Sequence, residues 1–150
     1  MASFNVSIDG LADLLRIERI DLPEELEGAM TKAMDAGQDA LKDAINTRGT
    51  GETWSRPWGR SGREASIPGR VDSGDMLSAA KGEVTGRDNH SVDGELGWPE
   101  DSPEYIAYQD QGFHHVIANR DIEGMFALRD AAELAERVLV EEVENIARKF

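Results

Sequence analysis

Between residues 22 and 46, apolar side chains return at steps of three and four: Leu26, Met30, Ala33, Gly37, Leu41, Ala44 and Ile45. That period lines one face of an α-helix, so the chain must fold around a helix of about 25 residues. Asp21 ahead of Pro23 and Glu24 marks its start, because an Asp side chain accepts from free N–H groups and a first-turn proline loses no bond. Asn46 and Gly49 mark its end. A second stripe closes the chain. Leu128, Ala132, Ala135, Leu139, Val143, Ile146 and Phe150, with Leu134 and Val138 beside them, predict a helix over 124–150, about 38 Å long and able to reach past the body.

The remaining regular segments read as short strands. Phe4, Val6 and Ile8 alternate with polar residues over 3–8, the period of a half-buried strand. A short amphipathic helical stretch follows at 11–20. Ser73 can cap a short helix that faces Met76, Leu77 and Ala80 inward. Residues 81–86 and 92–98 flank the polar turn RDNHS and predict a β-hairpin closed by Pro99. The expected fold class is α+β: one domain with a small antiparallel sheet, helices on one side, and one long extended loop.

That loop is 47–71. Its five glycines and two prolines disfavour a regular element, and loops of this length in compact domains are commonly functional. It also inverts the charge of the chain. Five arginines against two glutamates leave the loop at +3, whereas the whole chain stands at −14 and the remainder at −17. Trp54 and Trp58 lie among Arg56, Arg60 and Arg63. Tryptophans among arginines suit stacking on nucleic-acid bases, and they suit equally the anchoring of a protein interface. The acidic remainder favours protein contact, since phosphate binding depends on lysines and arginines displacing counterions, and an Arg-rich loop finds its complementary charge on another copy of this chain.

Other chemistry finds little support. No apolar run approaches the 18 or so residues of a membrane span. MASFNVSIDG has neither a basic nor an apolar leader region, and the absence of cysteine suits an intracellular product. His114 and His115, near Asp110 and Asp121, are adjacent and therefore point apart, which reads as an exposed polar pair better than as metal ligands. Gly59-Arg-Ser-Gly62 lacks the strand and helix of a nucleophile elbow. No phosphate-binding glycine motif occurs, and no cofactor is implied. Acid pairs such as Glu24/Glu25 and Glu141/Glu142 read as solvated helix faces. Tyr105 and Tyr108 mark either a short helix packed on the sheet or an intersubunit surface.

Three stretches occur in a telling order: Val71-Asp-Ser-Gly-Asp-Met-Leu-Ser before the hairpin, Tyr105-Ile-Ala-Tyr108-Gln-Asp-Gln-Gly112-Phe after it, and Gly124-Met-Phe-Ala-Leu-Arg-Asp-Ala131 at the last helix. Together with Ile8 to Leu11 and the first long helix, this order resembles the putative tail-component family of long-tailed bacteriophages, the neck or tail-completion proteins. The chain departs from that family in having Ser73 for threonine, no threonine after Gly112, and no proline around Phe126. The resemblance implies a virion structural protein, not an enzyme, assembled in the bacterial cytoplasm into a ring of expected hexameric order. The ring would meet connector, stopper, tail-terminator or tail-tube proteins and would pass genomic DNA through its lumen. In that setting Trp54, Arg56, Trp58, Arg60 and Arg63 would reach a neighbour, and Tyr105, Tyr108 and Phe126 would fix the packing of the motifs. A tail terminator and a DNA-binding accessory protein are the alternatives; a hydrolase built on Ser61 or on Asp110 and His114 has least behind it.

Overall fold

The computed structural model describes residues 1–7, 22–48, 75–102, 104–115 and 120–149. In chain order these form β1 (Ala2–Ser7), α1 (Leu22–Thr47), α2 (Asp75–Ala79), β2 (Lys81–Arg87), β3 (Ser91–Gly97), α3 (Tyr105–Gln111), β4 (Gly112–His115), β5 (Arg120–Glu123) and α4 (Ala127–Ala147). The fold is α+β: an antiparallel sheet of order β1-β3-β2 lies under the two long helices. The sequence pattern anticipated one sheet. β4 and β5 form a second, two-stranded antiparallel sheet. The expected helix at 11–20, the cap residues Asp21 and Ser73, and Phe150 lie outside the described residues.

Every member of the α1 stripe, Leu26 through Ile45, is buried. Full burial of a Leu, Ile or Met side chain contributes about 1.5–3 kcal/mol. The helix presses closely on the sheet because small residues face it. A Cβ on Gly37 would stand 2.7 Å from Leu96 Cδ2 and 3.2 Å from the Cβ of Ala135, and one on Gly94 would stand 2.7 Å from Met30 Sδ. Helix, sheet and second helix therefore meet at Gly37.

α4 runs antiparallel to α1, as their cross-contacts show: Lys149 pairs with Glu25, Lys32 with Glu142, and Arg48 with Asp130. The most buried residues of α4 are Ala127, Ala131, Ala135, Leu139 and Ile146, with Leu128, Ala132, Val138 and Val143 partly covered. Its 21 residues span about 32 Å, against about 39 Å for the 26 of α1. α4 is thus shorter than the 38 Å expected of it, and Lys149 just beyond its end lies against Glu25 near the start of α1.

The strands alternate as their sequences require. Ala2, Phe4 and Val6 of β1 and Val92 and Leu96 of β3 join the core, while Ser3, Asn5, Asp93 and Glu95 occupy the other sheet face. On β2 the register slips between Val84 and Gly86. One extra residue inverts the alternation of everything beyond it. Arg87 consequently points to the helix side and pairs with Glu27 of α1. The β2–β3 turn is held by Asp88, whose Oδ1 accepts the N–H groups of His90 and Ser91 at 2.6 and 2.7 Å. Trp98 donates from its indole nitrogen to Met76 O at 3.0 Å and ties α2 to the end of β3.

Candidate assembly surface at the start of α4

α4 begins without a cap from its own neighbours. Phe126, the residue before it, adopts a left-handed backbone, φ 50° and ψ 34°, and makes no side-chain cap bond. The free N–H groups of a first helical turn need acceptors. They find Asp110, near the end of α3, whose Oδ1 lies 2.8 Å from the N–H nitrogen of Ala127 and 3.3 Å from that of Leu128. The backbone continues the same contact: Asp110 O accepts from Phe126 at 2.8 Å, and Gln109 O accepts from Met125 at 3.2 Å. Asp110 is 7% exposed and is the buried charged residue among those described. A helix N-terminus stabilises a carboxylate, so its burial here has a physical cause.

Glycines make the approach possible. A Cβ on Gly124 would stand 2.5 Å from Asp110 O and 2.6 Å from Gly112 N, backbone atoms with nowhere to retreat. Gly112 ends α3 with φ 91°, a conformation that L side chains rarely adopt. The segments 105–113 and 124–131, separate in sequence, therefore form one knot.

Arg48 reaches the same knot from the end of α1. Its Nη1 donates to Met125 O at 2.8 Å and to Asp130 Oδ2 at 2.6 Å. Arg129 Nε lies 3.1 Å from the other oxygen of Asp130, and its guanidinium stacks 4.9 Å from the centre of the Phe126 ring. The hydrogen bond from Arg48, then that from Arg129, holds the Asp130 carboxyl below the usual aspartate range. Two cations share the Asp130 carboxylate, and with Asp110 beside them the knot is balanced in charge. Arg48 was counted above among the loop cations; the fold engages it instead.

No protein-family model, no curated protein and no solved structure matches the chain.

Of the predicted interaction residues, Trp54, Arg56, Trp58, Arg60 and Arg63 lie outside the described residues, as does Ser61. Tyr105 opens α3. Tyr108 is 53% exposed and Phe126 36% exposed. On α3 the buried residues are Ile106 and Asp110. His114 Nδ1 lies 2.8 Å from Asp121 Oδ1 across the β4–β5 pair, where the two residues are directly opposed. Among the described residues no three His, Cys, Asp or Glu side chains converge as metal ligands, and none of their helices is long and apolar enough to cross a membrane.

Asp110, Gly124 and Arg48 are the working residues that sequence reasoning overlooked. A signal for Asp110 existed. No Ser, Thr, Asp or Asn stands at 124–126 to cap a helix that clearly starts there, so the acceptor had to come from elsewhere.

Proposed function

We propose that this protein is a structural subunit of a bacteriophage head-to-tail joint, forming a neck or tail-completion ring between the portal or adaptor side and the tail. One observation carries the reading. Two of the three stretches that carry the family resemblance, 105–113 and 124–131, are joined in space through Asp110 and Gly124. Their order in the sequence is thus the order of a packed unit.

Charge adds to it. The sheet face turned away from the helices bears Asp93, Glu95 and Glu83, the last paired with Lys81, and a face of net negative charge repels DNA and lets it slide. In the ring such a wall faces the lumen, while the 47–71 loop reaches a neighbouring subunit or ring. With Arg48 engaged by Asp130, the loop has one cation fewer for phosphates, which weakens the reading as a DNA-binding accessory protein. The function involves no chemical step and no cofactor.

Deletion of residues 50–68 tests the proposal: the domain should fold, and heads should fail to join tails. Normal infectious particles from that deletion would refute it. A gel shift repeated over a salt series separates the DNA-binding alternative, which requires a steep loss of affinity with salt.

A further inference from the structure

β1 and β2 are the two edges of the main sheet, and they are built differently. β2 carries Lys81, Glu83, Arg87, two glycines and a bulge. Charges and bulges of this kind protect an edge from pairing with other chains. β1, Ala2–Ser7, has no charge, no proline, no glycine and an unbroken register. Among the described residues nothing but β3 pairs with it. Its outward backbone N–H and C=O groups suit one class of partner, another extended strand.

We propose that β1 pairs with β1 of a second copy, antiparallel about a two-fold axis, and joins two three-stranded sheets into one of six strands. Of the three strands of the main sheet β1 is the one without a charged side chain. Two copies of a chain at −14 therefore meet there without opposing charges. The nearest acids on the sheet, Asp93 and Glu95, sit on β3. Across the new junction these rows are three strand spacings apart, about 14 Å, beyond the screening length of about 8 Å at physiological salt.

Side-chain parity agrees. Pairing centred on Phe4 sets Phe4 against Phe4, Ala2 against Val6 and Ser3 against Asn5. Ala2, Phe4 and Val6, each only partly buried in one copy, then form a continuous apolar row beneath the helices, and the polar row stays outside. A two-fold pair is not the repeating contact of a one-way ring. It is the state of the free subunit, in which each copy covers the other's edge until assembly.

Sedimentation velocity and native mass spectrometry of the purified full chain test this. The wild type should be dimeric at micromolar concentration. A Ser3→Lys/Asn5→Lys variant sets lysines against lysines and should weaken the dimer on the order of tenfold. A Ser3→Glu/Asn5→Glu variant should weaken it more, since its carboxylates also face Glu95 and Asp93 of their own β3, and mixing the two variants should restore pairing. Hydrogen exchange supplies a readout without mutation: alternate β1 amides should lose protection on dilution of the wild type. A monomeric wild type, a lysine variant that remains dimeric, or β1 protection independent of concentration would each overturn the proposal. None of these results bears on membership of the head-to-tail joint, which the 50–68 deletion tests separately.

Discussion

Asp110 caps a helix that begins 17 residues later: its carboxylate accepts the backbone N–H of Ala127 at 2.8 Å. The acceptor that α4 lacks locally is thus supplied by the last turn of α3, and the two segments are held as one body. Asp110→Ala should destabilise the domain by about 2 kcal/mol, the upper end for loss of a cap because the site is buried. Asp110→Asn retains an oxygen acceptor and should lose less. Urea unfolding of the three proteins checks the order.

Gly124→Ala should be more damaging than its single methyl implies. The added Cβ would press on the backbone of Asp110 and Gly112, so the α3–α4 contact must open. A loss of about 1–3 kcal/mol is expected, with the near-ultraviolet signal around α3 altered and the α1 helix signal retained. A fully wild-type melting profile would contradict the close approach described.

Phe126→Gly should leave stability nearly unchanged. Glycine removes a left-handed strain of about 1–2 kcal/mol, and loss of the exposed Arg129 stack costs about 0.5–1 kcal/mol. If the exposed ring serves assembly, the same variant should incorporate poorly into particles. Stability and assembly measured on one variant separate the two roles.

Two aspartates set an acid limit. Asp130 is held low by hydrogen bonds from Arg48 and Arg129, and Asp88 by the backbone N–H groups of His90 and Ser91. A depressed folded-state pKa means that the stability each contributes is present above the ordinary aspartate value of about 4 and fades as pH falls through the lower folded value. Unfolding midpoints should therefore be flat with respect to these groups from pH 7 to about 5 and fall below about 4. Asp130→Asn should reduce that acid slope. Asp88 is exposed and Asp130 only partly buried, so the effect is modest.

The elements legible in the sequence are those whose period spans several turns or pairs. α1 and α4 announced themselves through apolar residues at helical spacing, and β3 through the alternation of Val92, Gly94, Leu96 and Trp98. β4 and β5 left no such trace, because GFHH and RDIE have only Phe113 and Ile122 as apolar residues, too few to define a period. Arg87 shows another limit. Its position on the helix face depends on a bulge at Val84–Gly86, and alternation read without the bulge sends it to the opposite face. The cap was hidden because helix-start rules inspect the residues just before the helix, whereas this acceptor is brought in by tertiary folding. The tryptophan and arginine segment was conspicuous in composition, and its residues 54–63 lie outside the described residues.

The antiparallel pairing of α1 with α4 has a consequence in time. Glu25 meets Lys149 and Lys32 meets Glu142, and Ala2 on β1 pairs with Leu96 on β3, so apart from the β2–β3 hairpin the principal contacts span most of the chain. Contacts this distant in sequence make folding slow. During synthesis at about 5–20 residues per second, α1 emerges many seconds before the helix that covers it. Its apolar face must wait for a partner not yet made, which makes the nascent chain a natural client for a chaperone and leaves a truncation before α4 with no stable core to adopt.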